Sequence, residues 1–232
     1  MNIFLQLIQN EVTTTDTTAT AENTTSSALD AVSLIMKGGI VMIPIAILSI
    51  IAVYLTIERY FTIKKAGVLN SKFMGNIKGM VLDGDIKSAQ TLCHSNGTPI
   101  GLMIEKGLSR IGKPLKDISV AVENVGKLEV YKLEKGMPIL ATISGAAPML
   151  GFLGTVTGMI RTFNQMQDSG QQITADLLSG GIGEAMMTTV AGLIVGIFAY
   201  IGYNLLSSMI NKVVYKMEAT SVEFLDILHE PA

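Results

Sequence analysis

Hydrophobic positions along this chain gather into three long runs, separated by polar stretches of differing character. Residues 38–57, GGIVMIPIAILSIIAVYLTI, hold no charge and are bounded by Lys37 and Glu58. As a helix, a run of that length rises about 30 Å, which matches the hydrocarbon core of a bilayer. Residues 138–160 supply 23 uncharged positions, ended by Arg161. Residues 177–211 form the third run, 35 positions with Glu184 as the only charge, long enough to cross a bilayer and project beyond it. Pro44 lies near one end of the first run, where few backbone bonds are lost, and Tyr54 and Tyr60 mark a membrane interface.

The stretch between the first two runs is charged and rich in helix formers. Its breaks fall at DGD (83–85), SNGTP (95–99) and GKP (112–114). They predict helices over about 59–81, 85–95, 98–111 and from 115 onward. From Ile118 the apolar positions Val122, Val125, Leu128 and Leu133 recur at near-helical spacing. The last helix is therefore expected to run straight into the second span, with Gly136 and Pro138 as a kink. Upstream, MNIFLQLIQN and a Thr-rich tract lack the positive n-region and apolar core of a signal peptide, and read as an interfacial segment and a flexible linker, with cleavage left open.

Composition supports the membrane class: 49% hydrophobic, 16% charged and a mean hydropathy of +0.47 fit a soluble domain poorly. The net charge of -2 hides an uneven distribution, because 13 of the 17 Lys and Arg lie between Arg59 and Lys135. Lys212 and Lys216 follow the third run, which leaves Lys37 and Arg161 for the other side. The positive-inside rule then places the large loop and the C-terminus in the cytoplasm. The expected architecture is an all-α membrane protein with three transmembrane helices, the second and third extending into a cytoplasmic helical region. Its divisions are an external N-terminal segment (1–36), first helix (38–57), cytoplasmic helical domain (58–137), second helix (138–161), short external connection (162–176), third helix with cytoplasmic extension (177–211) and cytoplasmic tail (212–232). Cys93 is the single cysteine, and with His94 and His229 the only histidines no disulfide and no metal set is expected. No nucleophile–base pair or phosphate loop appears, so no enzyme, cofactor or nucleic-acid role is expected.

The second and third runs carry small and polar residues that lipid contact alone would not require. Gly154 and Gly158, and Gly192 and Gly196, have the spacing that lets membrane helices approach closely. With Gly145, Gly151, Gly183 and Gly202 they predict packing on several sides, and hence a homo-oligomer. Thr155, Thr157, Thr188 and Thr189 are the polar residues at depth, each able to bond a carbonyl of its own helix. Glu184 has two readings. It faces a bundle interior or water, as intramembrane carboxylates do; or it sits shallow, solvated or paired with Arg161. Thr188, four residues on, shares its face, while Ala185, Thr189, Gly192 and Gly196 form a stripe of small residues.

Two motifs, APMLGFLGTVTGMIRTF (147–163) and GIGEAMMTTVAGLIVGIFAYIGYN (181–204), resemble the MotA/TolQ/ExbB proton-channel family, most closely its ExbB/TolQ branch. The likeness covers about residues 35–220, and departs from the pattern at Thr157, where the family often has tryptophan. It implies a homopentamer in the lipid bilayer around a dimer of a single-span, ExbD-like or TolR-like partner that carries the proton-binding aspartate. Proton flow would move the partner and drive a TonB-like or TolA-like protein. It implies that Thr155 and Thr189 line the lumen, with Glu184 as the acidic residue of the third helix. From the residues themselves, Thr188 is expected beside Glu184 on the proton pathway, Gly154, Gly158, Gly192 and Gly196 pack the helices, and Arg161, so close to a span, forms an outer ion pair with Glu184, Asp168 or Asp176. A secondary transporter would need an internal repeat, which three spans do not supply, and a plain membrane scaffold would make the buried polar residues incidental.

Overall fold

The structure, a computed structural model, describes residues 39–68, 72–169 and 175–229. The expected N-terminal segment and part of the expected 162–176 connection lie outside these residues. Among the described residues every regular element is a helix: α1 Met42–Ala66, α2 Phe73–Leu82, α3 Ile86–Asn96, α4 Pro99–Leu108, α5 Leu115–Glu134, α6 Met137–Ser169 and α7 Ala175–His229. Three stretches are long and apolar enough to cross a membrane, Met42–Ala66, Leu115–Gln167 and Ser179–His229. The chain is a multi-pass, all-α membrane protein whose second and third crossing helices are the long ones.

Local chemistry explains most helix ends. Pro44 falls in the first turn of α1, where its missing N–H is not needed. Lys64 and Lys65 occupy the last turn, which favours positive charge. The helix closes at Gly67, whose N–H donates to the Ile63 carbonyl, while Val68 N–H donates to that of Lys65. The helix expected over 59–81 is thus two: α1 carries the first run on to Ala66, and α2 starts afresh at Phe73. Asp85 caps α3 by accepting from the Ser88 N–H at 3.1 Å, and the Ser88 side chain together with this backbone bond holds its carboxyl below the usual range. Gly97 ends α3 in the left-handed conformation (φ 57°), and Thr98 caps α4 by accepting from Gly101 N–H at 3.2 Å.

The junction of α5 and α6 is a break where a kink was expected. Lys135 is extended (φ -55°, ψ 127°) and Gly136 has φ 86°, so the helical ladder stops and restarts, with Leu140 N–H donating to Gly136 O at 3.2 Å. Pro138 then lies in the first turn of α6 and bends nothing. The tail from 212 continues the third crossing helix: α7 is one helix of 55 residues, about 80 Å long at 1.5 Å per residue.

A single buried stripe holds α7 to the rest. Ala199, Leu206, Ile210, Val213, Met217, Thr220, Phe224 and Ile227 recur at steps of three, four or seven and are all nearly inaccessible. Its upper part packs on α1, where Gly202 meets Thr56 and Gly67 meets Val213. Its lower part packs on α4 and α5, where the Phe224 ring fills the space a side chain at Gly107 would need and touches the same point as Val122. The buried core continues through Ile100, Ile104 and Leu108 to Cys93. Burial pushes the Cys93 thiol up to about 12, with the Glu105 carboxylate adding to the effect.

Candidate functional site

Small residues bring α6 and α7 together along a narrow seam. Ala147, Gly151, Gly154 and Gly158 come from α6; Ala185, Thr188, Gly192 and Gly196 come from α7. A Cβ at Gly192 would lie 2.5 Å from the Ala147 carbonyl oxygen, one at Gly151 2.9 Å from that of Thr188, and one at Gly158 2.9 Å from the Ala185 methyl. Pro148 interrupts the ladder of α6 by leaving the Ser144 carbonyl without its helical donor. Gly196 lies over this point, close to both Pro148 and the Ser144 oxygen.

All four glycines of the two spaced pairs therefore meet within one subunit. Gly202 is occupied by α1, and only Gly145 and Gly183 among the remaining expected positions face open space. Within the subunit these glycines pack on two sides, along the seam and at Gly202 against α1, and two of them stay open. The physical reason is that both pairs belong to adjacent antiparallel helices, which satisfy each other first. The outward side of α6 is apolar at Met149, Phe152, Val156 and Ile160, and that of α7 at Met186, Val190, Ile194 and Ile197.

The threonines divide by position around the seam. Thr188 is 2% exposed, with its hydroxyl 2.7 Å from Ala185 O and 3.3 Å from Gly151 O. It lies one turn from Glu184, between the two helices, with its side chain against Gly154. Thr189 donates across the seam to Gly151 O at 3.0 Å, and Thr155 donates within α6 to Phe152 O at 2.6 Å. Thr157 lies 2.9 Å from Leu153 O.

Helical geometry puts these groups on two opposite rims. Thr155 is turned about 40° from Gly151 one way, and Arg161 about 80° the other. On α7, Thr189 is turned about 100° one way from Thr188, and Glu184 about 40° the other. In an antiparallel pair, equal senses of rotation fall on the same side. Thr155 and Thr189 share one rim, while Thr157, Arg161 and Glu184 share the opposite one. On that second rim Arg161 Nη1 donates to Glu184 Oε1 at 3.2 Å, with the two side chains 51% and 33% exposed. The residues that lead into α1, Gly39 to Val41, close over the same place. The side chains of Asp168 and Asp176, the other expected partners of Arg161, are not among those described.

The structure thus joins Arg161 to Glu184 on one rim, and helical geometry puts Thr155 and Thr189 on the other. Sequence reasoning missed Thr162, placed in a connection from 162 but 3% exposed inside α6, against Gly181. The polar run after Arg161 hid it, since α6 continues as a helix to Ser169. Among the described residues no group of acidic, His and Cys side chains could hold a metal.

Residues 95–219 match the model of the MotA/TolQ/ExbB proton channel family. The biopolymer transport protein ExbB-like 1 of Synechocystis sp. is 32% identical over 176 residues, covering 75% of this chain and 69% of its own. TolQ of the Tol-Pal system from Haemophilus influenzae is 35% identical over 104 residues, 45% of either chain. Biopolymer transport protein exbB1 of Vibrio cholerae is 37% identical over 90 residues, 39% of this chain and 40% of its own.

Proposed function

The chain belongs to the MotA/TolQ/ExbB proton channel family, and from that membership we propose that five copies form a ring in the inner membrane that converts a proton gradient into mechanical work. The observation that carries the reading is the free rim of the α6–α7 seam. Thr155 and Thr189 stand on it together, opposite the rim that α1 covers, beside outward positions that are apolar at Met149, Phe152, Met186 and Val190. Hydroxyls there donate to or accept from a carboxyl in either protonation state without placing fixed charge in a lumen. They suit a single-span, ExbD-like partner dimer whose acidic residue carries the proton. The 13 basic residues from 59 to 135 support an orientation with the N-terminus periplasmic and the large loop and α7 end cytoplasmic. The motion would be passed to a TonB-like protein for uptake across the outer membrane. A second reading, envelope maintenance in a Tol-Pal system, is favoured by the 35% identity with TolQ.

The test is proton uptake by vesicles holding the chain with its co-expressed partner. Thr155→Ala and Thr189→Ala are expected to assemble as the unmodified protein does and to reduce proton-driven activity by about tenfold or more, a loss of about 1.4 kcal/mol or more. Full activity in the double variant would leave a scaffold as the better reading. Co-purification of a TonB-like or a TolA-like protein separates uptake from envelope maintenance.

A further inference from the structure

We propose that Arg161 and Glu184 form a latch that seats the start of α1 on the α6–α7 hairpin, so that Glu184 is a positioning residue and not a carrier of protons. The inference rests on the proton-channel reading and reassigns one acidic side chain within it. Glu184 is the only charge in its apolar run, and Arg161 closes the preceding one. A charge at such a place needs a partner, and each supplies the other's, at 3.2 Å.

Three further observations tie the pair to α1. Gly39 has φ 67°, and the Glu184 carboxylate occupies the space its Cβ would need, with Arg161 Nη1 3.5 Å from the same point. That conformation turns the chain into α1, where Met42 N–H donates to Gly39 O at 3.1 Å. Between Val41 and Thr157, next to the ion pair, remains a cavity of only about 10 Å³, about enough for a single water. The hairpin and the start of α1 thus meet through the ion pair, on the rim facing away from Thr155 and Thr189. A proton moving along the threonine rim does not meet Glu184.

The test uses the full chain with its partner in vesicles and two measurements. Disulfide trapping of a Val41→Cys/Thr157→Cys pair reports how α1 is seated, and proton uptake reports function. Arg161→Gln and Glu184→Gln are each expected to lower trapping and uptake at least threefold. The exchanged Arg161→Glu/Glu184→Arg protein should recover both, and Gly39→Ala should lower trapping with no change in charge. If Glu184→Gln removes uptake while trapping is unchanged, and the exchange recovers nothing, Glu184 is a carrier and the latch is wrong. If the unmodified complex takes up no protons, the channel reading fails, and trapping alone still decides the latch.

Discussion

A methyl group is the smallest probe of the α6–α7 seam, and the glycines predict opposite outcomes for it. Gly192→Ala would drive a Cβ to 2.5 Å from the Ala147 carbonyl, a backbone atom that cannot step aside. Overpacking of this kind costs about 1–3 kcal/mol. Gly145→Ala has nothing within 4 Å inside the subunit and should change subunit stability by less than about 0.5 kcal/mol, or raise it through helix propensity. Thermal unfolding of the detergent-solubilised variants separates the two, and equal melting temperatures would mean that the helices do not meet this way. Cys93 gives a second residue-scale expectation. With its thiol raised to about 12 by burial and by Glu105, it is neutral and enclosed at pH 8. A maleimide should label it only after unfolding. The stability that depends on this proton is present below the ordinary thiol range and is lost as pH rises toward about 12.

Elements were legible to the extent that their signals are local. Three crossing helices follow from run length alone, and the α3 and α4 starts follow from Asp85 and from Thr98 with Pro99. The α5–α6 junction was not, because glycine before proline is compatible with both a kink and a break. What decides is φ 86° at Gly136, set by how α5 and α6 pack on other helices. The seam was half legible: glycine spacing announced a close contact but not its partner. The pairing of Arg161 with Glu184 was one of three expected alternatives, and its seat on Gly39 had no signal, since it joins residues far apart in sequence. Two variants test the elements. Gly136→Ala places a side chain in the left-handed region, and since neighbours lie no closer than 3.4 Å the cost is conformational, about 1–2 kcal/mol. Phe224→Ala empties a fully buried site between α4, α5 and α7. It should lower stability by about 3–5 kcal/mol, and protease accessibility should rise in the lower half of α7 before the membrane part is affected.

At the scale of the whole molecule, apolar surface beyond the membrane carries the argument. Met149 on α6 and Val190 on α7 are exposed within the apolar runs, where lipid covers them. Leu128 and Tyr131 on α5, and Tyr215 and Val222 on α7, are 59–75% exposed beyond those runs, among charged residues. Water is a poor solvent for such a surface, and another protein surface suits it better. Neighbouring copies in a ring would cover it while leaving each Thr155–Thr189 rim turned to the centre. Native mass measurement in mild detergent should then show five copies of the 24.7 kDa chain. Tyr131→Asp with Tyr215→Asp should shift the population to smaller species without unfolding the subunit, because neither ring belongs to its core. A stable monomer of the unmodified protein would sink the ring and the shared lumen with it. The orientation is checked on the same preparation: Ser95→Cys is exposed at the end of α3 and should react with a membrane-impermeant thiol reagent only from the cytoplasmic side. Labelling from outside would invert the topology, and the threonine rim would then face a gradient of the opposite sign.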